Sequence, residues 1–92
     1  MDVIRELYSV VTDRKANPVE GSYTNYLFDK GTDKISKKVG EEAVETAIAA
    51  AQRNRAEVIG EIADLGYHIL VLMADQGITI EDVESELRSR RG

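Results

Sequence analysis

Residues 40–70 read GEEAVETAIAAAQRNRAEVIGEIADLGYHIL, and this stretch decides the fold. It holds two segments of helical periodicity on either side of Asn54, with almost none of the alternation that strands show. Asn54 can cap the second segment, and Glu57 three residues later can complete a capping box. The stretch therefore predicts two long antiparallel helices with a tight connection, which implies an all-α domain.

Shorter helices are predicted on both sides of this pair. Helix one is expected over 2–14, with an apolar stripe formed by Val3, Ile4, Leu7, Val10 and Val11. The polar segment 15–21, which contains Pro18, should form a loop. A second helix is expected from Ser22 to about Lys30, with Gly31 as a left-handed stop, and a third from Thr32 or Asp33 to about Arg53. A fourth is expected from Asn54 to near Gln76, with Gly77 beyond its end. A short fifth helix is expected to start at Thr79, followed by Asp82.

Size and composition restrict the architecture further. Ninety-two residues, 42% of them hydrophobic, form a single domain over 1–92 rather than a disordered chain. A domain of this size buries only about 60% of the surface of its unfolded chain. We therefore expect four to five helices in a small domain that gains core by forming a helical-bundle homodimer.

Charge and residue usage exclude several classes of function. The formal net charge of −5 opposes nucleic-acid binding, which needs a basic stripe. The absence of cysteine excludes disulfides, zinc–thiolate sites and cysteine nucleophiles. No apolar run approaches the roughly 20 residues of a membrane span, and the first residues lack the apolar core of a signal peptide. A cytoplasmic protein without a membrane or nucleic-acid partner is expected.

Four carboxylates lie at helical spacing on the two long helices. Glu42 and Glu45 share one side of the first helix, and Glu61 and Asp64 share one side of the second. Apolar residues flank both pairs, so the carboxylates cannot all face open solvent. Partly buried like charges need a compensating cation. Magnesium suits such a site because it takes oxygen ligands and is usually completed by substrate phosphates.

Each pair has a simpler explanation when taken alone. A Glu-Glu-x-x-Glu string is common on solvated helices, and a lone Glu-x-x-Asp is weaker still. The two pairs together, on successive helices within apolar rows, favour the metal site. Zinc fits poorly, because the chain has one histidine and no thiol.

Two further segments are candidates for substrate binding. Lys34, Lys37 and Lys38 lie in the amino-terminal half of their helix, where the dipole disfavours positive charge, so they are expected to bind phosphates. The alternative is that they pair with Glu41 and Glu42 on the helix surface. A helix is expected to begin at Ser22, Tyr23 and Thr24, and the exposed backbone amides at this end can attract phosphate. Alternatively, Ser22 is only an N-cap. Tyr26, Leu27 and Phe28 are expected in the core or at a dimer contact rather than stacked on a base.

These motifs resemble those of a known superfamily. Glu-Glu-x-x-Glu followed by Glu-x-x-Asp resembles the all-α nucleoside triphosphate pyrophosphohydrolases, which include MazG proteins and dimeric dUTPases. Three segments resemble the phosphoribosyl-ATP pyrophosphohydrolase branch in particular; they are residues 21–24, 37–42 and 61–68.

The resemblance implies magnesium-dependent hydrolysis of phosphoribosyl-ATP to phosphoribosyl-AMP and pyrophosphate, the second step of histidine biosynthesis. It implies that Glu42, Glu45, Glu61 and Asp64 bind the metal in a homodimer, with Glu41 beside them. Either Glu41 or Glu45 would accept the proton of the attacking water. His68 is expected at the substrate, although a lone histidine is more often a packed or hydrogen-bonded residue. Two other functions stay open: a housekeeping pyrophosphatase for ordinary triphosphates, and a non-catalytic helical dimerisation module.

Overall fold

The computed structural model describes residues 2–91, and in this range the protein is all-α, as the periodicity predicts. Five helices follow one another along the chain: α1 Val3–Ala16, α2 Tyr23–Lys30, α3 Thr32–Ala51, α4 Arg55–Gln76 and α5 Ile80–Ser89. α3 and α4 form the most extensive contact, as a hairpin, while α1 and α2 pack against them. Within residues 2–91 no helix is long and apolar enough to cross a membrane.

Side-chain caps begin four of these helices. Asp2 accepts a hydrogen bond from the backbone N–H of Ile4 in α1, and Ser22 caps α2. Asn54 accepts from the N–H of Glu57, although the return bond that would complete the predicted capping box is not found among residues 2–91. Thr79 and Asp82 form a full capping box on α5. The predicted caps Ser22, Asn54 and Thr79 therefore begin their helices as expected, whereas α3 begins at Gly31 without a side-chain cap.

The ends of three helices differ from the prediction. α1 continues to Ala16 and ends at Asn17, because a residue that precedes a proline is disfavoured in helical conformation. α3 ends at Ala51, two residues early, since Arg53 takes a left-handed conformation with φ 57°. Gly31 has φ 91° and ψ −176°, so it is a positive-φ joint between α2 and α3 rather than a left-handed cap. Gly77 does adopt the predicted left-handed conformation.

The core lies where α1 and α2 pack on the start of α3 and the end of α4. It consists of Val11, Leu27, Ile35, Val71 and Ala74, all buried. Only part of the predicted α1 stripe reaches it. Leu7 and Val11 reach it, while Val3, Ile4 and Val10 are exposed.

The α3–α4 hairpin leaves a set of large apolar side chains uncovered. We call this set the hairpin face; it consists of Val44, Ile48, Ile59, Ile62 and Ile69. α5 buries no residue completely and is tied to α1 by an ion pair between Arg5 and Glu84, 2.8 Å apart. The chain therefore covers one end of the hairpin and leaves the other open.

Candidate active site

Three carboxylates converge between α3 and α4. Glu42 and Glu45 stand one turn apart on α3, and Glu61 faces them from α4. One carboxylate oxygen from each lies within 4.8 Å of the other two. Glu42 is buried, with 7% of its surface exposed, while Glu61 is half-buried and Glu45 is exposed. We call these three residues the carboxylate cluster.

The cluster has the features of a site for a hard cation. Glu42 Oε2 and Glu61 Oε2 are both buried, and neither has a hydrogen-bond partner among residues 2–91. Buried polar atoms are usually paired, so two unpaired anionic oxygens require an explanation. Desolvation, together with the adjacent carboxyl groups of Glu45 and Glu42, raises the pKa of Glu61 from 4.5 to about 7. A cation with oxygen ligands, such as magnesium, would pair these oxygens and reverse that shift.

Asp64 and Glu41 lie beside the cluster rather than within it. The Asp64 side chain is exposed and is not part of the three-carboxylate group. Its shorter side chain starts one turn further along α4 than that of Glu61. Glu41 is exposed, and its Oε1 lies 3.6 Å from the ammonium of Lys38. A metal-binding role for Asp64 and a catalytic role for Glu41 therefore stay predictions.

His68 is buried behind the cluster, with 5% of its surface exposed. Its Nδ1 lies 2.8 Å from the carbonyl oxygen of Asp64, which can only accept, so Nδ1 carries the proton. Its Nε2 then accepts from the hydroxyl of Tyr23 at 3.2 Å, and burial raises the pKa of Tyr23, which keeps that hydroxyl protonated. Both ring nitrogens are thus engaged within the protein. The predicted substrate contact of His68 stays a prediction. Its two hydrogen bonds link Tyr23 of α2 to Asp64 of α4.

The lysines divide into two groups. Lys38 lies 4.0 Å from Glu42 Oε1 in addition to its contact with Glu41, which matches the alternative of pairing along the helix. Lys34 and Lys37 form no ion pair within residues 2–91. Lys38 is therefore the lysine placed beside the cluster, and the other two are not held by a carboxylate.

The segment 22–24 connects the start of α2 to α4. Ser22 accepts a hydrogen bond from the N–H of Asn25 and so caps α2, which is the alternative to a phosphate-binding role. Thr24 Oγ1 is hydrogen bonded to the hydroxyl of Tyr67. Together with the Tyr23–His68 bond, this contact ties the start of α2 to the helix that carries Glu61.

Two tyrosines extend the site away from the carboxylates. The ring of Tyr23 stacks on that of Tyr26, with centroids 5.8 Å apart and planes at 21°, and on that of Tyr67 at 6.2 Å and 27°. Leu27 is buried and Phe28 packs partly against the core, as expected. Tyr26, however, is 41% exposed and lines an open groove. The sequence does carry a signal for this arrangement. Tyr26 follows Tyr23 by three residues at the start of α2, and that spacing places both rings on the same side of the helix.

Comparisons with known proteins find relatives along almost the whole chain. A family model described as phosphoribosyl-ATP pyrophosphohydrolase matches residues 4–91. A phosphoribosyl-ATP pyrophosphatase of Clostridium novyi is 53% identical over 91 residues, which cover 99% of this chain and 83% of that protein. One of Streptococcus thermophilus is 53% identical over 90 residues, with coverage of 98% and 86%. A histidine biosynthesis bifunctional protein of Thermoanaerobacter pseudethanolicus is 56% identical over 84 residues, 91% of this chain and 39% of that protein.

Proposed function

Since this chain belongs to the phosphoribosyl-ATP pyrophosphohydrolase family, we propose that it hydrolyses phosphoribosyl-ATP to phosphoribosyl-AMP and pyrophosphate at the carboxylate cluster with Mg²⁺. The reaction is the pyrophosphate-releasing step of histidine biosynthesis, and a cytoplasmic location is part of the proposal. The observation that carries the metal assignment is the pair of buried, unpartnered oxygens, Glu42 Oε2 and Glu61 Oε2.

The chemistry needs charge neutralisation on the departing pyrophosphate and a water aligned with the α-phosphorus. Magnesium would supply the neutralisation and acidify a bound water. Glu42, Glu45 and Glu61 would hold it, with Asp64 recruited from its exposed position one turn beyond Glu61.

The remaining side chains handle protons and phosphate charge. Glu45 is the exposed member of the cluster and can reach a water outside it, so we assign it as the acceptor of the water's proton. Glu41 is the alternative acceptor, held by Lys38. The Lys38 ammonium lies 4.0 Å from Glu42 Oε1, where it can pair with a phosphate oxygen at the cluster. Lys34 and Lys37 are proposed to contact the phosphates that extend beyond it.

Turnover and magnesium binding test this proposal together. We expect Glu42→Gln to abolish measurable hydrolysis of phosphoribosyl-ATP and to weaken magnesium binding in isothermal titration. Glu57→Gln is the matched control, because Glu57 is an exposed carboxylate one turn before Glu61 on the same helix. Unchanged turnover and magnesium binding in Glu42→Gln would contradict the metal site. Absence of turnover and of magnesium binding in the unmodified protein would instead favour a non-catalytic dimerisation module. Faster turnover of ordinary nucleoside triphosphates than of phosphoribosyl-ATP would instead favour a housekeeping pyrophosphatase.

The hairpin face supports a homodimer as part of the proposal. Its five aliphatic side chains are exposed on the two helices that carry the cluster, and large exposed apolar patches often mark contacts between proteins. Two hairpins packed through this face would complete a helical bundle. Because Glu61 and Ile62 are neighbours, the interface would border the cluster.

Mass measurement in solution tests the hairpin face. We expect Ile48→Glu to shift the mass from dimer to monomer in light scattering after size exclusion, since the interface would bury an unpaired charge. Leu87→Glu is the matched control, because Leu87 is equally an exposed aliphatic residue but lies on α5. A dimer that survives Ile48→Glu and dissociates with Leu87→Glu would move the interface to α5.

A further inference from the structure

An open groove of about 720 Å³ lies beside α2, and nothing in the hydrolytic mechanism uses it. Its lining comes from the loop between α1 and α2 and from one side of α2; it includes Pro18, Glu20, Tyr23, Tyr26 and Asp29. The volume lies in the range of small-molecule sites. We propose that this groove binds the purine of the substrate as a cation, and that it thereby selects an N1-substituted adenine over an ordinary one. The proposal rests on the proposed function.

The wall of the groove is held in place by hydrogen bonds. The side chain of Asn25 accepts from the N–H of Val19 at 2.8 Å and donates to the carbonyl of Arg14 at 2.7 Å. The N–H of Ser22 also bonds to the carbonyl of Val19. These bonds fix the loop from both sides, so the groove exists before a ligand enters it. A preformed groove avoids the cost of ordering a loop on binding.

The groove and the carboxylate cluster are adjacent, so one extended molecule can occupy both. Tyr23 lines the groove, and its hydroxyl lies 3.2 Å from Nε2 of His68. Nδ1 of the same ring lies 4.0 Å from Glu42 Oε1. The Tyr23 and His68 side chains therefore connect the groove to the cluster. A nucleotide with its phosphates at the cluster would place its base on the groove side of Tyr23.

The chemistry of the lining favours a flat cation. Tyr23 and Tyr26 are 46% and 41% exposed and offer aromatic surface to the groove. The Tyr26 ring already takes a cation, since the ammonium of Lys30 lies 5.7 Å from its centroid, and Lys30 does not line the groove. Glu20 and Asp29 add two carboxylates that form no ion pair within residues 2–91. These two carboxylates attract positive charge.

Substitution at N1 supplies that charge. Alkylation of adenine at N1 converts the ring and its exocyclic nitrogen into a strongly basic amidine, which is protonated at neutral pH. Ordinary adenine is neutral there. Phosphoribosyl-ATP carries its second ribose on N1, so its purine is a flat cation, while that of ATP is not. Cation–π contact and a carboxylate at the rim would together favour it by about tenfold.

Nucleosides without phosphates test the groove separately from the metal site. In EDTA at neutral pH, NMR titration compares 1-methyladenosine, which is cationic, with 1-methylinosine, which has the same N1 methyl group but no charge. We expect about tenfold tighter binding of 1-methyladenosine, with shifts at Tyr23, Tyr26 and Asp29. Asp29→Asn and Tyr26→Leu should remove the preference, while Tyr26→Phe, which keeps the ring, should retain it.

Two further variants separate the possible outcomes. Glu42→Gln should bind 1-methyladenosine like the unmodified protein, so failure of the metal site would leave this result intact. Tyr8→Phe controls for the loss of a tyrosine, because Tyr8 contacts Ile78 and does not line the groove. Equal binding of the two nucleosides, or shifts that map outside the groove, would overturn the proposal. Should Tyr26→Leu fail to fold, Asp29→Asn on the exposed rim carries the same test.

Discussion

The two ends of the α3–α4 hairpin treat polar and apolar side chains in opposite ways. At the end covered by α1 and α2, Leu27, Ile35 and Val71 are fully buried. At the other end, Ile48, Ile59 and Ile62 are exposed while the carboxylate of Glu42 is buried. The first arrangement is that of an ordinary core, in which apolar area is removed from water.

The second arrangement is costly for an isolated chain. It buries anionic oxygens without partners and leaves aliphatic surface in water. Under the proposed function, both costs would be relieved by binding: a cation would pair the oxygens, and a second copy would cover the hairpin face. The covered end of the hairpin therefore stabilises the fold, while the proposed site at the other end lowers the stability of the isolated chain.

Among the tests of this difference between the two ends, Glu61→Gln should have the largest effect. The substitution removes a carboxylate that would hold the proposed metal, and metal stabilisation of a phosphoryl transition state is worth several kcal/mol. We expect turnover of phosphoribosyl-ATP to fall about 1,000-fold, which corresponds to about 4 kcal/mol. The melting temperature in EDTA should rise at pH 8, because a buried charge has been removed. Steady-state kinetics and circular dichroism measure the two effects.

The opposite signs of these two effects are the decisive feature. A carboxylate that only supported the fold would lose stability and activity together when changed to glutamine. A fall in melting temperature in EDTA would therefore contradict the functional reading of the cluster. Glu57→Gln again serves as the control, with neither quantity expected to change.

Leu27→Ala tests the covered end of the hairpin and should have the second largest effect. Leu27 is fully buried against α1, α3 and α4, so its truncation leaves a cavity and costs about 3 kcal/mol of unfolding free energy. Denaturant unfolding measures the loss. Turnover per folded molecule should change little, because Leu27 belongs to the core and not to the carboxylate cluster. Its control is Leu87→Ala on α5, where an exposed leucine should cost little.

The sequence predicts the covered end better than the open end. Helical periodicity and caps place all five helices, because these signals depend on residues close together in the chain. Spacing also brings Glu42, Glu45 and Glu61 together. It cannot distinguish the exposed Asp64 from its neighbour Glu61, since both lie on the same side of α4 and their burial depends on the residues packed opposite. The exposure of Tyr26 differs from the expected core position for a similar reason, because it depends on the path of the 17–22 loop.

The dependence of stability on pH should distinguish the two ends with the smallest effect. In the metal-free protein, the pKa of Glu61 is about 7 in the folded state and 4.5 in its ordinary state. Between these values the unfolded chain releases the proton of Glu61 while the folded chain keeps it. The stability contributed by this group is therefore fully present below pH 4.5 and is lost as the pH rises to about 7.

The quantity that isolates this effect is the difference in melting temperature, measured in EDTA from pH 5 to pH 8, between the unmodified protein and Glu61→Gln. The difference should grow in favour of the variant as the pH rises, and then level off above pH 7. Magnesium should abolish it, since metal binding releases the proton, and apparent magnesium affinity should rise over the same window. A difference independent of pH would mean that Glu61 ionises freely in the folded chain, and the open end of the hairpin would then carry no electrostatic strain for the metal to relieve.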